Sequence, residues 1–252
     1  TGPSQQPLIT SRGTAAPLAG VIEGLHRHPG RFVGGWAPDP RDPHARAKLR
    51  AAVQIHGIRV CGELKCRMRY DSPDALALFH TAGRLGLPVI FHLQFYEHGL
   101  AAQCADDTTW PEWYGGGMDA VETMLRRCPD TVFLGHATAF WRAISGDADA
   151  DTESYPKRPV RPGGRLQTLL RKHKNLYCDL SAGSGRNGLD RDHDHARRFC
   201  QEFQSRLLFG RDNYDRELLD LLARLDLEQR VLEKILHANA ERLLAEGEAR
   251  RG

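Results

Sequence analysis

Side chains able to bind a metal or move a proton stand at the ends of four short apolar runs. LPVIFH (87–92) ends on His92, TVFLGH (131–136) on His136 and RLLFGRD (206–212) on Asp212. GIRVCGELK (57–65) carries Glu63 and Lys65 at its end. Imidazole nitrogens and carboxylate oxygens are the donors of a zinc-type site. The same groups serve as general acids and bases. One strand-end histidine is most often structural, but residues of this kind at the same end of several runs form a more specific pattern. In parallel strands closed into a barrel, those ends converge on the face where active sites lie.

The elements that must position these residues can be read from the flanking sequence. Each apolar run follows a stretch with helical spacing. PLAGVIEGLHRH precedes RFVGGWA (31–37), HARAKLRAAVQIHG precedes GIRVCGELK, and DALALFHTAGRLG precedes LPVIFH. MDAVETMLRRCPD precedes TVFLGH, RLQTLLRKHK precedes NLYCDLS (175–181), and HARRFCQEFQS precedes RLLFGRD. DRELLDLLARL and EQRVLEKILHANAERLLAEG then read as a helical tail. Helix and strand in alternation predict an α/β fold built on parallel strands. The strands are continuously apolar, as expected when both faces of a sheet are covered.

No linker divides the chain, so residues 1–252 are expected to form one domain with a loop-like start over 1–17. The segments 93–116 and 146–164 are longer than ordinary connections and read as active-site loops. The first carries Trp113, a candidate for an aromatic pocket wall. The second carries Lys157, Arg158, Arg161 and Arg165, of which Arg161 is the candidate for holding a substrate carboxylate. Lys65 and Arg211 are the other candidate substrate contacts.

Composition narrows the function classes. The 252 residues are 40% hydrophobic and 27% charged, with a formal net charge of +3. That balance gives no strong pull toward nucleic acid or a membrane surface, and no apolar run is long enough for a membrane span. A small-molecule substrate is the expected partner, and a homo-oligomer is compatible with the sequence. The six cysteines form no CxxC pair and read as reduced thiols in a cytoplasmic protein, with Cys61 and Cys178 as small core residues.

The chain resembles the amidohydrolase superfamily, and within it the amidohydrolase family 2 branch, which includes hydrolases and decarboxylases. The resemblance spans about residues 18–246 and rests on GLPVIFH, RCPDTVFLGHA, NLYCDLSAGSG, RLLFGRDNYD and ILHANAERLL. It implies a distorted (β/α)8 TIM barrel with one or two divalent metals, zinc first, manganese or iron otherwise. By resemblance His92 is the metal ligand of the fifth strand. His136, on the sixth, is a ligand or a base that polarises the substrate. Asp212, on the eighth, binds metal and shuttles a proton. Glu63, on the fourth, takes the place of a bridging carboxylate, with Lys65 the less favoured holder of that role. The implied reaction is hydrolysis of a C–N, C–O or C–C bond by a metal-activated water, with non-oxidative decarboxylation as the alternative on the same site.

One departure from the family pattern shapes the expectation. The family's first strand ends in His-x-His, and no N-terminal strand here does. His26 and His28 have the spacing but read as the end of a helix before Pro29. Counted back from His92, the runs correspond to strands three to eight, an incomplete barrel expected to be poorly stable alone and to bind metal weakly. A catalytically inert barrel fragment is therefore a further alternative. A remote one is a dinucleotide-binding protein, because GSGRNG (Gly183–Gly188) matches G-x-G-x-x-G after a strand. DRDHDH (190–195) reads as a helix cap rather than a metal cluster.

Overall fold

A computed structural model describes residues 17–94, 114–148 and 153–251. Among these, the chain is an α/β protein whose short strands alternate with helices. Its contacts divide it into two compact units, one of residues 1–133 with 244–252, the other of residues 134–243.

The first unit begins with α1 (Leu18–Arg27) and α2 (Ala45–His56). Leu18, Val21 and Leu25 of α1 pack on Trp36, Ala52 and Ile58. His28 caps the carboxyl end of α1, so the His26/His28 pair is a helix terminus as read from the sequence. RFVGGWA was expected as a strand, but it makes only a single parallel bridge, Gly35 to Val60. A Cβ at Gly34 would lie 2.8 Å from Leu25 and 2.9 Å from Ile58, so this stretch is shaped to let α1 approach and has little side chain to pack as a strand.

Next come β1 (Cys61–Leu64), α3 (Pro73–Arg84), β2 (Val89–His92) and α4 (Gly117–Arg127). Ser72 caps α3 by accepting from the Ala75 N–H, with Pro73 in the first turn. β1 and β2 pair in parallel, Cys61 against Val89 and Leu64 against Phe91. The Val89 N–H donates to Val132 O at the approach to β3 (Phe133–His136). Tyr70, Phe79, Phe91 and Phe133 form an edge-to-face aromatic core behind these strands.

The second unit takes up β3 from Leu134 and adds α5 (Thr138–Arg142), α6 (Arg165–Lys172), β4 (Leu176–Asp179), α7 (Ala182–Asp190), α8 (His193–Glu202) and β5 (Leu207–Leu208). β3 neighbours β4, and β4 pairs β5 in parallel, with Cys178 against Leu207 and Asp179 against Leu208. Cys61 and Cys178 are fully buried, as expected. Asp192 caps α8 through the His195 N–H at 2.9 Å, which makes DRDHDH a helix start. GSGRNG lies inside α7, so it is no phosphate-cradling loop, and the dinucleotide reading falls with it.

The tail holds α9 (Glu217–Arg224), α10 (Gln229–Glu233), a π-helical turn (Lys234–Ala238) and α11 (Asn239–Ala249). β5 is short, and the tail extends its support. The Phe209 N–H donates to Ile235 O at 2.8 Å, and the buried Asn239 amide donates to Gln204 O and Leu207 O. No described helix is long and apolar enough to cross a membrane.

Candidate functional site

In the first unit the candidate side chains cluster where β1 and β2 end. LPVIFH buries Leu87, Val89 and Phe91, and that burial fixes which way the strand's last residue faces. His92 Nδ1 donates to Glu63 Oε1 at 2.6 Å, and Nε2 faces the side-chain amide oxygen of Gln94 at 2.8 Å. The backbone of Gln94 is itself fixed by an antiparallel bridge to Tyr114. The Tyr70 hydroxyl lies 2.9 Å from both Leu64 O and His92 O, donating to one at a time, and so ties the two strand ends together. Burial pushes this hydroxyl well above the ordinary tyrosine range, and Cys66 adds to the shift. Lys65 Nζ stands 5.5 Å from the centroid of the Tyr114 ring, which meets the His92 ring edge to face at 5.6 Å.

In the second unit the candidate side chains cluster where β3 and β4 end. His136 is buried, and its Nδ1 lies 3.1 Å from Asp179 Oδ2 and 3.2 Å from Ser181 Oγ. Ser181 holds the same carboxylate twice, its hydroxyl donating to Oδ2 at 2.8 Å and its N–H to Oδ1 at 2.9 Å. The Trp141 indole N–H donates to Asp179 O at 2.9 Å and fixes the backbone at that point. Beyond β5, Gly210 passes so close that a Cβ there would lie 2.9 Å from Ser181 Cβ and 3.1 Å from Asp179 Oδ1.

The remaining predicted residues fall in several places. Glu63 and His92 are brought together in the first unit, with Lys65 Nζ over the Tyr114 ring. Asp212 is exposed and adopts a left-handed backbone with φ 62°. Arg211 is exposed, accepts from the Ala182 N–H through its carbonyl, and lines a cavity of about 120 Å³ with Arg186 and Asn213. Arg161 is exposed, and its backbone is anchored to Ser145 and Gly146. Trp113 lies outside the described residues. A larger cavity, of about 530 Å³, is lined by Tyr155, Lys157, Arg186, Asn187 and Arg191.

Asp179, Ser181, Gln94 and Tyr70 escaped the sequence reading. Asp179 carries the same signal that found His92 and His136, a polar residue closing an apolar strand. Tyr70 is tied in through space and has no comparable sequence signal.

A sequence profile described as amidohydrolase matches residues 10–245. No curated protein matches the chain. Among solved structures, the chain is similar to an uncharacterised TIM-barrel protein from Bordetella bronchiseptica, with a TM-score of 0.61 and 21% identity over 95% of this chain and 75% of that one. A dihydroxybenzoic acid decarboxylase from a Polaromonas species, holding manganese and an inhibitor, has a TM-score of 0.52 at 16% identity, over 90% of this chain and 73% of that one. A protein described as a probable 2-pyrone-4,6-dicarboxylic acid hydrolase from Acinetobacter baumannii, with citric acid bound, has a TM-score of 0.59 at 11% identity, over 94% and 81%. At these identities the likeness is one of fold.

Proposed function

Because the chain belongs to the amidohydrolase family, we propose that it is a metal-dependent hydrolase cleaving a C–N, C–O or C–C bond of a small, carboxylate-bearing molecule. One observation carries the reading. Each of the two buried strand-end histidines has a carboxylate at Nδ1, Glu63 on His92 and Asp179 on His136. A carboxylate on one ring nitrogen orients an imidazole and raises the basicity of the other nitrogen, the usual support of a metal-binding histidine.

We assign His92 and Glu63 of the first unit, and His136 and Asp212 of the second, as metal ligands. Their nitrogen and carboxylate donors suit zinc first, and manganese or iron otherwise. A bound divalent ion supplies a polarised substrate oxygen and an acidified water. In this reading Asp212, exposed at the mouth of β5, takes up and returns the proton, and His136 hydrogen-bonds the substrate oxygen. Lys157, Arg186 and Arg191, which outnumber the one carboxylate, Asp190, in the lining of the larger cavity, suit an anionic group on the substrate. Arg211, Arg161, Lys65 and Trp113 remain in the reading as further substrate contacts. No nucleic-acid or membrane partner enters the reading. A cytoplasmic location is supported by Cys61, Cys178 and Cys200, which are buried thiols rather than disulfides.

Decarboxylation is the second reading, favoured by the manganese-holding decarboxylase among the structural neighbours. Elemental analysis after gentle purification tests the metal, with His92→Ala, His136→Ala and Asp212→Ala alongside. Bound metal that falls in the variants is the expected result, and a metal-free wild type overturns the reading. Release of CO2 from hydroxybenzoates, set against ring opening of carboxylated lactones, then separates the two reactions.

A further inference from the structure

We propose that Asp179 and Ser181 are positioning residues that lock His136 as the tautomer protonated on Nδ1, so that its working lone pair is on Nε2. The inference rests on the functional reading above only for what that nitrogen does. The lock itself stands on geometry within the second unit.

A carboxylate accepts hydrogen bonds and cannot donate them when ionised. Asp179 Oδ2 stands 3.1 Å from His136 Nδ1, and an acidic oxygen that close favours a proton on this ring nitrogen over a lone pair. The Ser181 hydroxyl, 3.2 Å from the same nitrogen, already spends its hydrogen on Asp179 Oδ2 and can offer His136 only a lone pair. Both neighbours of Nδ1 therefore require a proton there. The carboxylate cannot rotate out of the way. Oδ1 is held by the Ser181 N–H, the backbone carbonyl by Trp141, and Gly210 closes the far side so tightly that a Cβ would touch Oδ1. Burial of His136 keeps water from competing for Nδ1.

This geometry makes a sharp prediction for Asp179→Asn. The Ser181 N–H keeps an oxygen at the Oδ1 position, which places the amide NH2 at Oδ2, facing His136. A donor there requires the lone pair on Nδ1 and sends the ring proton to Nε2.

The test is the long-range 1H–15N correlation spectrum of the full chain labelled at histidine nitrogen, recorded above the histidine titration range, with His136→Gln used to assign the signal. Wild type should show a protonated Nδ1 and a lone-pair Nε2. Ser181→Ala should keep that pattern, because Asp179 alone still accepts. Asp179→Asn should reverse it and weaken zinc binding by roughly tenfold to a hundredfold. A wild type protonated on Nε2, or an Asp179→Asn ring still protonated on Nδ1, overturns the inference. If Asp179→Asn fails to fold, the wild-type spectrum still decides, and Asp179→Glu serves as the conservative rescue. An Nδ1-protonated ring in a protein that takes up no zinc, manganese or iron leaves the lock standing and removes the metal reading.

Discussion

Single substitutions report on the buried polar atoms of this protein. Tyr70→Phe removes the hydroxyl that bridges Leu64 O and His92 O. The expected loss is about 1–3 kcal/mol, because the one donor shared by two buried carbonyls is removed, and urea unfolding measures it. His195 gives a pH prediction. Burial pushes its pKa below the ordinary value, opposed by Asp192 and Glu202 and reinforced by Arg198 and Arg191. A group with a lowered folded pKa binds fewer protons folded than unfolded. Its contribution is therefore complete above about pH 6.5 and is lost as the pH falls through that window. The Gln167 amide N–H also donates to His195 Nε2 at 3.1 Å, a bond that protonation breaks. His195→Gln should flatten the acid side of the stability curve, read from urea midpoints between roughly pH 7 and pH 5. The strand-end histidines were legible because burial of an apolar run fixes the direction of its last residue. Asp179 was as legible by that rule, whereas Tyr70 and Gln94 act across elements, where sequence spacing carries no information.

Helices with a clear apolar stripe, such as α3 and α4, were legible from their spacing. Two short elements were not. α5 follows a strand end directly, and α7 has the sequence AGSGRNGLD, whose glycines disfavour a helix. Tertiary contact decides there. A Cβ at Gly188 would lie 2.8 Å from the Trp141 ring, and one at Gly185 would run into Leu180 O. Gly188→Ala separates the two effects. Helix propensity alone favours alanine by about 1 kcal/mol, while overpacking costs about 1–3 kcal/mol. Net destabilisation is expected, together with a shift in Trp141 fluorescence, because the ring that must move also holds Asp179 O. A stabilised variant would mean that the ring yields without cost. The helical tail was read as continuous through EQRVLEKILHANAERLLAEG, yet it contains a π-turn whose Ile235 carbonyl accepts from Phe209. That bond supports a strand only two residues long, which strand propensity could not have indicated.

The α/β class was legible from alternation alone, and family membership from motifs spread along most of the chain. The single domain expected over residues 1–252 is tested by calorimetry, where one transition supports it and two resolved transitions count against it. Less legible was the path of the last residues. Residues 244–252 belong to the first unit. Glu248 pairs with Arg59 at 2.7 Å, Arg250 donates to Asp130 O at 2.9 Å and Arg251 to Leu85 O at 3.2 Å. Gly247 and Gly86 pass so closely that a Cβ on either would run into the other's carbonyl oxygen. Gly247→Ala should cost about 1–3 kcal/mol, and a chain ending at Leu243 should lose still more, both read from thermal midpoints. The arrangement also sets a schedule for synthesis. A ribosome releases residues 134–243 before 244–252, so the unit begun first is finished last. Until then Arg59, Leu85 and Asp130 wait for partners more than a hundred residues further along, and a nascent chain stalled before residue 244 leaves the first unit open to proteases.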